Sequence, residues 1–346
     1  MSDHWNLMCC AIGLWEVFHN TIPTCHHQAG DDPMRICQPL ALALSLLLLC
    51  TASLEAGKVN VVREGDKAIV NIDGAHFTTY NFADTQAKPY FHPILAPGDV
   101  LVVREQVFNK EGEQGNDAKT GMGHFHHKGV WIAIDTVNEG LNYWHERDQI
   151  KNQKVTVSSE GSNGVIEVVN HWQGADKKPL LKEETRFTIT PDRLIVCELK
   201  LTAIDQSVTF GDTKEGLFAI RVNHSMREMS GGEIVNASGE EGEENCWGKP
   251  SPWIDYHGEV DGKTVGVSLF DSGENFRPSR YHVRGYGLFA ISPFGEKKYS
   301  NGKAEAAPVT LQAGESVKLR YGLYVHSGDE KEGHVAEQYQ KFVQVQ

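Results

Sequence analysis

From Lys58 onward the chain is a succession of short segments in which apolar and polar residues alternate with a period of two. Clear cases are KVNVVREGDKAIVNIDG, QKVTVSSEGSNGVIEVVNHW, EETRFTITPDRLIVCELKLTAI, YHGEVDGKTVGVSLFD and ESVKLRYGLYVHSG. Successive side chains on a strand point to opposite faces, so alternation rich in Val, Ile, Thr and Tyr predicts half-buried β-strands. The turn signals EGD, SNG, TPD and VDG separate them. Strands recurring every 8–12 residues or so predict an all-β fold, a large antiparallel β-sandwich, as a single domain over 58–346. Helical periodicity appears once, in DEKEGHVAEQYQKFVQ, where Val335, Tyr339, Phe342 and Val343 predict one C-terminal amphipathic helix.

Two segments interrupt the alternation. NKEGEQGNDAKTGMGH, from Asn109 to His124, has four glycines and no apolar period, and it leads straight into a histidine cluster. Loops of that length in compact domains are more often functional than not. SGEEGEENCWGKPSPW, residues 238–253, reads as a second polar loop.

The first 56 residues have a different pattern. Met34-Arg35 is a second plausible start, followed by the apolar run LALALSLLLLC and then small residues at Ala52, Ser53 and Ala56. This is the layout of a signal peptide over 34–56, with 1–33 a mis-assigned extension. The run of about 11 residues is short of the roughly 20 that span a bilayer, so no integral span is expected in the mature chain. Cleavage near Ala56 fits better than lipid attachment at Cys50, because three leucines precede that cysteine. Of seven cysteines, only Cys197 and Cys246 follow residue 50, so one disulfide at most is available. Cys197 lies in an apolar alternating run and Cys246 in the polar loop. A formal charge of -13 with no basic stripe argues against nucleic acid as a partner.

The candidate chemistry centres on GMGHFHHKGVW, residues 121–131. Read as extended chain, it places His124, His126 and Lys128 on one face and His127 on the other. A divalent metal would need a further ligand, from His92, from His145 and Glu146 in NYWHE, or from His224. The cupin arrangement fails, because Gly129, Val130 and Trp131 stand where its glutamate is needed, and no H-E-x-x-H motif is present. Metal-free acid/base chemistry, a metal centre, and a merely hydrogen-bonded loop all remain open at this level. TKEGLFAIRVNHS adds Glu215 and Arg221, and RYHVRGYG places His282 and Arg284 on one strand face, suited to an anionic or hydroxyl-rich ligand. Tyr90, Trp144 and other aromatics cluster in the same segments and can stack on sugar rings.

KPYFHPILAPGDVLVVRE, GHFHHKGVWIAIDTVNEGLNYWHE, KEGLFAIRVNHSMRE and RYHVRGYGLFAISPFG, with the intervening glycine-rich segment, resemble a bacterial family of unknown function labelled PmoA-like, over most of residues 85–300. Where that family shows H-P-H-H-R-G-L-W, this chain has His124 to Trp131 with Phe for Pro, Lys for Arg and Val for Leu. The label suggests methane oxidation, but a membrane oxygenase subunit needs several long apolar spans, and none approaches 18 residues after Cys50. RFTITPDRLIVCELKLTAI and Asn223-His224-Ser225 are also similar to segments of galactose-mutarotase-like supersandwiches.

The resulting expectation is an exported, periplasmic or extracellular carbohydrate-active protein. It would perform acid/base chemistry (epimerisation, elimination or hydrolysis) on a sugar or uronate. His124, His126 and Glu215 are the expected catalytic residues. Tyr90, His92, His127, Lys128, Trp144, His145, Glu146, Arg221, His282 and Arg284 are the expected substrate contacts. The rival readings are a non-catalytic carbohydrate-binding protein and a metal-dependent oxygenase or hydrolase using the histidines. Neither the cofactor nor the oligomeric state follows from the sequence.

Overall fold

The computed structural model describes residues 57–105, 123–138 and 140–344. The expected signal segment, Cys50 and nearly all of the 109–124 loop lie outside these residues. Glu55–Gln346 forms one compact unit, built on two large sheets whose every strand pairing is antiparallel.

The first sheet runs in the order β1 (Val59–Glu64), β2 (Lys67–Ile72), β3 (Ala75–Asn81), β4 (Tyr90–Ala96), β6 (Val130–Ile134), β12 (Gly216–Arg221), β17 (Leu288–Ser292) and β16 (Arg280–Val283), with β5 (Val100–Leu101) on β4. The second runs β13 (Glu233–Asn236), β14 (Trp253–Val260), β15 (Lys263–Asp271), β19 (Ser316–Ser327), β10 (Leu194–Ala203), β9 (Pro179–Ile189), β8 (Asn163–Gln173) and β7 (Ile150–Glu160). A small ribbon pairs β11 (Val208–Phe210) with β18 (Val309–Leu311).

The alternation in the sequence becomes alternation in burial. Every second residue of β2 is buried, and the first half of β19 does the same. The inner faces meet through aromatic rings: Phe187 of β9 stands edge-on to Phe91 of β4 at 4.9 Å, and Phe218 of β12 stacks on Tyr321 of β19 at 6.1 Å. Each such ring taken out of water contributes about 1.5–3 kcal/mol.

Asp261-Gly262 turns β14 into β15 with both residues at positive φ, 52° and 75°, as a two-residue hairpin requires. The SNG signal is displaced: Gly161-Ser162 makes the turn, and Asn163-Gly164 already pair within β8. RYHVRGYG is not one strand, because β16 stops at Val283 and Arg284–Gly287 reverse the chain into β17. Among its described residues, VLVVREQVF is strand only at Val100–Leu101. Besides the expected terminal helix, α3 (Val335–Gln344), the described residues form two short α-helices, α1 (Gly242–Cys246) and α2 (Glu296–Tyr299). On α3 the inward residues are Val335, Gln338 and Phe342, while Val343 is 50% exposed. Cys246 is buried in α1 rather than set in a polar loop, and both described cysteines are free thiols.

The second sheet also buries a charged network. Asp255 of β14 accepts hydrogen bonds from His257 Nδ1 at 2.8 Å, His326 Nε2 at 2.8 Å and Ser268 Oγ at 2.7 Å. Gly266 lies between the two histidines in register, and a Cβ there would sit 2.3 Å from His326 Cε1. The shared carboxylate raises both imidazoles above their ordinary value against the cost of burial, and they hold Asp255 well below the usual carboxylate range.

Candidate active site

The histidine segment is a turn, not the extended chain its alternation suggested. His127 N–H donates to His124 O at 2.9 Å, His124 sits at φ 61°, and β6 begins only at Val130. Two cations grip the turn by its backbone. Arg104, just past β5, donates to Gly123 O at 2.6 Å, His124 O at 2.7 Å and His127 O at 3.3 Å. Lys88, fully buried, donates to His126 O at 2.9 Å. Gly129 closes the turn at φ 66°, where a Cβ would lie 2.1 Å from Phe91 O.

All three imidazoles therefore converge, with one ring nitrogen from each within 4.8 Å of the others. Tyr286, His124, His127 and Trp131 form a column of nearly parallel rings at 5.7, 4.8 and 5.1 Å. His126 packs edge-on against His127 at 4.4 Å and beside His145 at 4.7 Å. Burial first, then the positive charge of neighbours, makes these rings hard to protonate. His124 is pushed down to about 4, and His126 and His127 lie further below the ordinary histidine value. Arg104 contributes to all three shifts, Lys88 to that of His126, and Arg221 to those of His124 and His127.

Hydrogen bonds assign which nitrogen carries the proton elsewhere in the cluster. His145 N–H donates to Asn142 Oδ1 at 2.8 Å, so that atom is an acceptor, and His145 Nδ1 at 3.1 Å must donate to it. His145 Nε2 is then a lone pair. His282 Nδ1 donates to Lys214 O at 3.0 Å and lies 3.7 Å from Glu215 Oε2, which leaves its Nε2 a lone pair as well. Glu215, half-buried and paired with Lys214, is close enough that its charge raises the His145 pKa, though burial keeps that value low overall. Burial first, then the charges of Lys214 and Arg284, hold His282 well below the ordinary histidine value. An open cleft of about 410 Å³ lies beside this group, lined by Lys214, Glu243, Trp247 and Arg284 among others, with Trp247 edge-on to His282.

The expected site residues divide accordingly. His124, His126, His127, His145, Glu215, Arg221 and His282 come together. Arg284 reaches the cleft through the β16–β17 turn, ion-paired with Glu243 at 3.0 Å, rather than along a strand shared with His282. Glu146 bridges Lys88 at 2.7 Å and Lys128 at 3.0 Å, Lys128 lies over the Tyr90 ring at 5.9 Å, and together they form a wall of the turn. Trp144 is fully buried against His127 and Trp131. His92 bonds Arg104 O at 3.2 Å, and its Cβ lies beside Gly129 at the end of the turn. Lys88, Arg104 and Asn142 did not stand out in the sequence, because each is a single polar residue that no local spacing marks, whereas Tyr286 belongs to the segment that also carries His282 and Arg284.

Residues 67–340 match the model described as "Family of unknown function (DUF6807)". The chain belongs to that family. No curated protein matches it. Among solved structures it is similar to a galactose 1-epimerase from Lactobacillus acidophilus, with 8% identity, TM-score 0.36, and 79% of this chain and 100% of that one covered. It is also similar to a putative aldose 1-epimerase from Klebsiella pneumoniae, with 11% identity, TM-score 0.38, and 82% and 87% covered. An α-galactosidase from Geobacillus stearothermophilus matches with 9% identity and TM-score 0.40. There 79% of this chain is covered, but it spans only 41% of that enzyme's length. Among the described residues of this DUF6807 protein, no helix is long and apolar enough to cross a membrane.

Proposed function

We propose that this DUF6807 protein is an exported enzyme that moves a proton to or from a sugar or sugar acid held in the cleft. The supporting observation is the 3.7 Å approach of the Glu215 carboxylate to the His282 ring, next to Lys214 and Trp247 on the wall of the open cleft. A carboxylate and an imidazole on two sides of one reacting carbon can divide the roles of base and acid in epimerisation, elimination or hydrolysis. Glu215 and His145 are the proton-transfer pair in this reading, and His124 orients the substrate. Trp247 offers an apolar ring face for the C–H side of a sugar, and Arg284 offers donors for its hydroxyls. The segment over 34–56 supports export, and fractionation of the native host tests it: a cytoplasmic location would overturn that part.

The test of the chemistry is a panel of mono- and oligosaccharides and uronates, followed by NMR for isomerised, unsaturated or hydrolysed product. Glu215→Gln should lower turnover by about 10²–10⁴-fold with the melting temperature within a few degrees of wild type. Full activity in that variant would sink the assignment. A metal-dependent reading draws on the convergence of three histidine nitrogens alone, and elemental analysis of the purified protein examines it directly.

A further inference from the structure

We infer that the histidine turn is a receptor for an oxyanion rather than a cation, and that the substrate of the proposed reaction carries a carboxylate, as a uronate does. This rests on the reading above and narrows its substrate class.

The first support is a proton position. A guanidinium can only donate hydrogen bonds, and Arg221 Nη1 lies 3.2 Å from His127 Nδ1. Nδ1 must therefore accept, and the ring proton of the neutral imidazole resides on Nε2. That Nε2–H is buried and has no hydrogen-bond partner among the described residues. A buried donor without an acceptor costs about 1–3 kcal/mol, so a ligand oxygen arriving there removes a standing penalty. A metal ion at the same place would need a lone pair that the Arg221 bond denies it. His126 Nε2 is likewise buried and without a partner, on the ring packed edge-on against His127.

The second support is the local field. Arg104 stands behind the turn and Arg221 beside it over the Tyr286 ring at 4.6 Å, while Lys88, also behind the turn, shares its charge with Glu146 at 2.7 Å. Their charges, which resist a proton on any of the three imidazoles, resist a divalent cation more strongly and favour an anion. A carboxylate would be held at His126 and His127. Its value to the reaction is that hydrogen bonds to its oxygens delocalise charge when a neighbouring C–H proton leaves to Glu215 or His145. The electron pair of that C–H bond then rests on the carboxylate oxygens, and reprotonation of the carbon, or loss of a β-substituent, completes the step.

Calorimetric titration of the full chain with D-galacturonate, D-glucuronate, D-galactose, D-glucose and zinc separates the alternatives. At least one uronate should bind tenfold or more tightly than its neutral parent, and His127→Phe should erase that advantage while leaving the affinity for the neutral sugar. Equal affinity for uronates and neutral sugars overturns the anion receptor while leaving the acid/base reading intact. Absence of any sugar binding overturns both. Stoichiometric zinc binding that disappears in His127→Phe overturns the receptor in favour of a metal centre. Should that variant fail to fold, long-range ¹H–¹⁵N correlation on the wild-type protein reads the tautomer of His127. A proton on Nε2 that shifts on adding uronate supports the inference, and a proton on Nδ1 refutes it.

Discussion

Replacing Asp255 by Asn isolates the charged network of the second sheet. The carboxylate is fully buried and accepts from two imidazoles and one hydroxyl, while Glu233 lies 3.7 Å and Glu330 4.0 Å from the His257 ring. An amide can satisfy only part of this set, and removing one member of a buried ion pair costs about 3–5 kcal/mol. At about 2 °C per kcal/mol for a domain of this size, the melting temperature should fall by about 6–10 °C. The sign of the pH dependence follows from the directions of the shifts. His257 and His326 are raised in the folded state, so their contribution is complete below the ordinary value of 6.5 and disappears as pH rises through the folded values. Wild type should therefore lose stability above pH 6.5 by a route that the variant lacks. The buried neutral histidines, His124, His126, His127 and His282 among them, act oppositely: they are depressed, and they destabilise the fold only on acidification below 6.5. Urea unfolding of both proteins at pH 6 and pH 9 should give the larger difference at pH 6. Equal differences at the two pH values, or a loss under about 1 kcal/mol, would refute the charge-sharing argument.

Gly129→Ala should destabilise the fold by about 3 kcal/mol or more, since the added carbon meets a carbonyl oxygen and the residue sits at positive φ. Circular dichroism during thermal melting checks it, and an unchanged melting temperature would mean that the turn is not held as described. A histidine-resolved NMR titration should place the midpoint of His124 near pH 4, and a midpoint at 6.5 would show that neither burial nor the neighbouring arginines act on it.

Strands such as β2 and the first half of β19 were legible because one face meets water, and that requirement writes a period of two into the residues themselves, whereas β6, β12 and β17 are buried on both faces. Sheet order was not legible. β19 enters between β15 and β10, far from it in the chain, and only the closing of the whole sandwich determines that insertion. The site was half legible. His124, His126 and His127 drew notice by their density, and Glu215 and His282 by their segments. Alternation nevertheless misled at 124–128, because Gly123 and Gly129 take positive φ and Arg104 holds three carbonyls, so the side chains no longer follow a strand's facing rule. The Asp255 network escaped notice for a different reason. His326 reaches Asp255 across 71 positions of sequence, and no local window contains both.

The grip of Lys88 and Arg104 on the histidine turn has an evolutionary consequence. Both cations take hold of carbonyl oxygens, those of residues 123, 124, 126 and 127, and every amino acid supplies the same oxygen. The shape of the turn is thus written in the lysine and the arginine, while the side chains at 124, 126 and 127 are free to carry the chemistry. Such a turn works like a socket with exchangeable pins: a relative keeping the two cations and the glycine at 129 can change the three side chains, and with them the reaction, without rebuilding the loop that presents them.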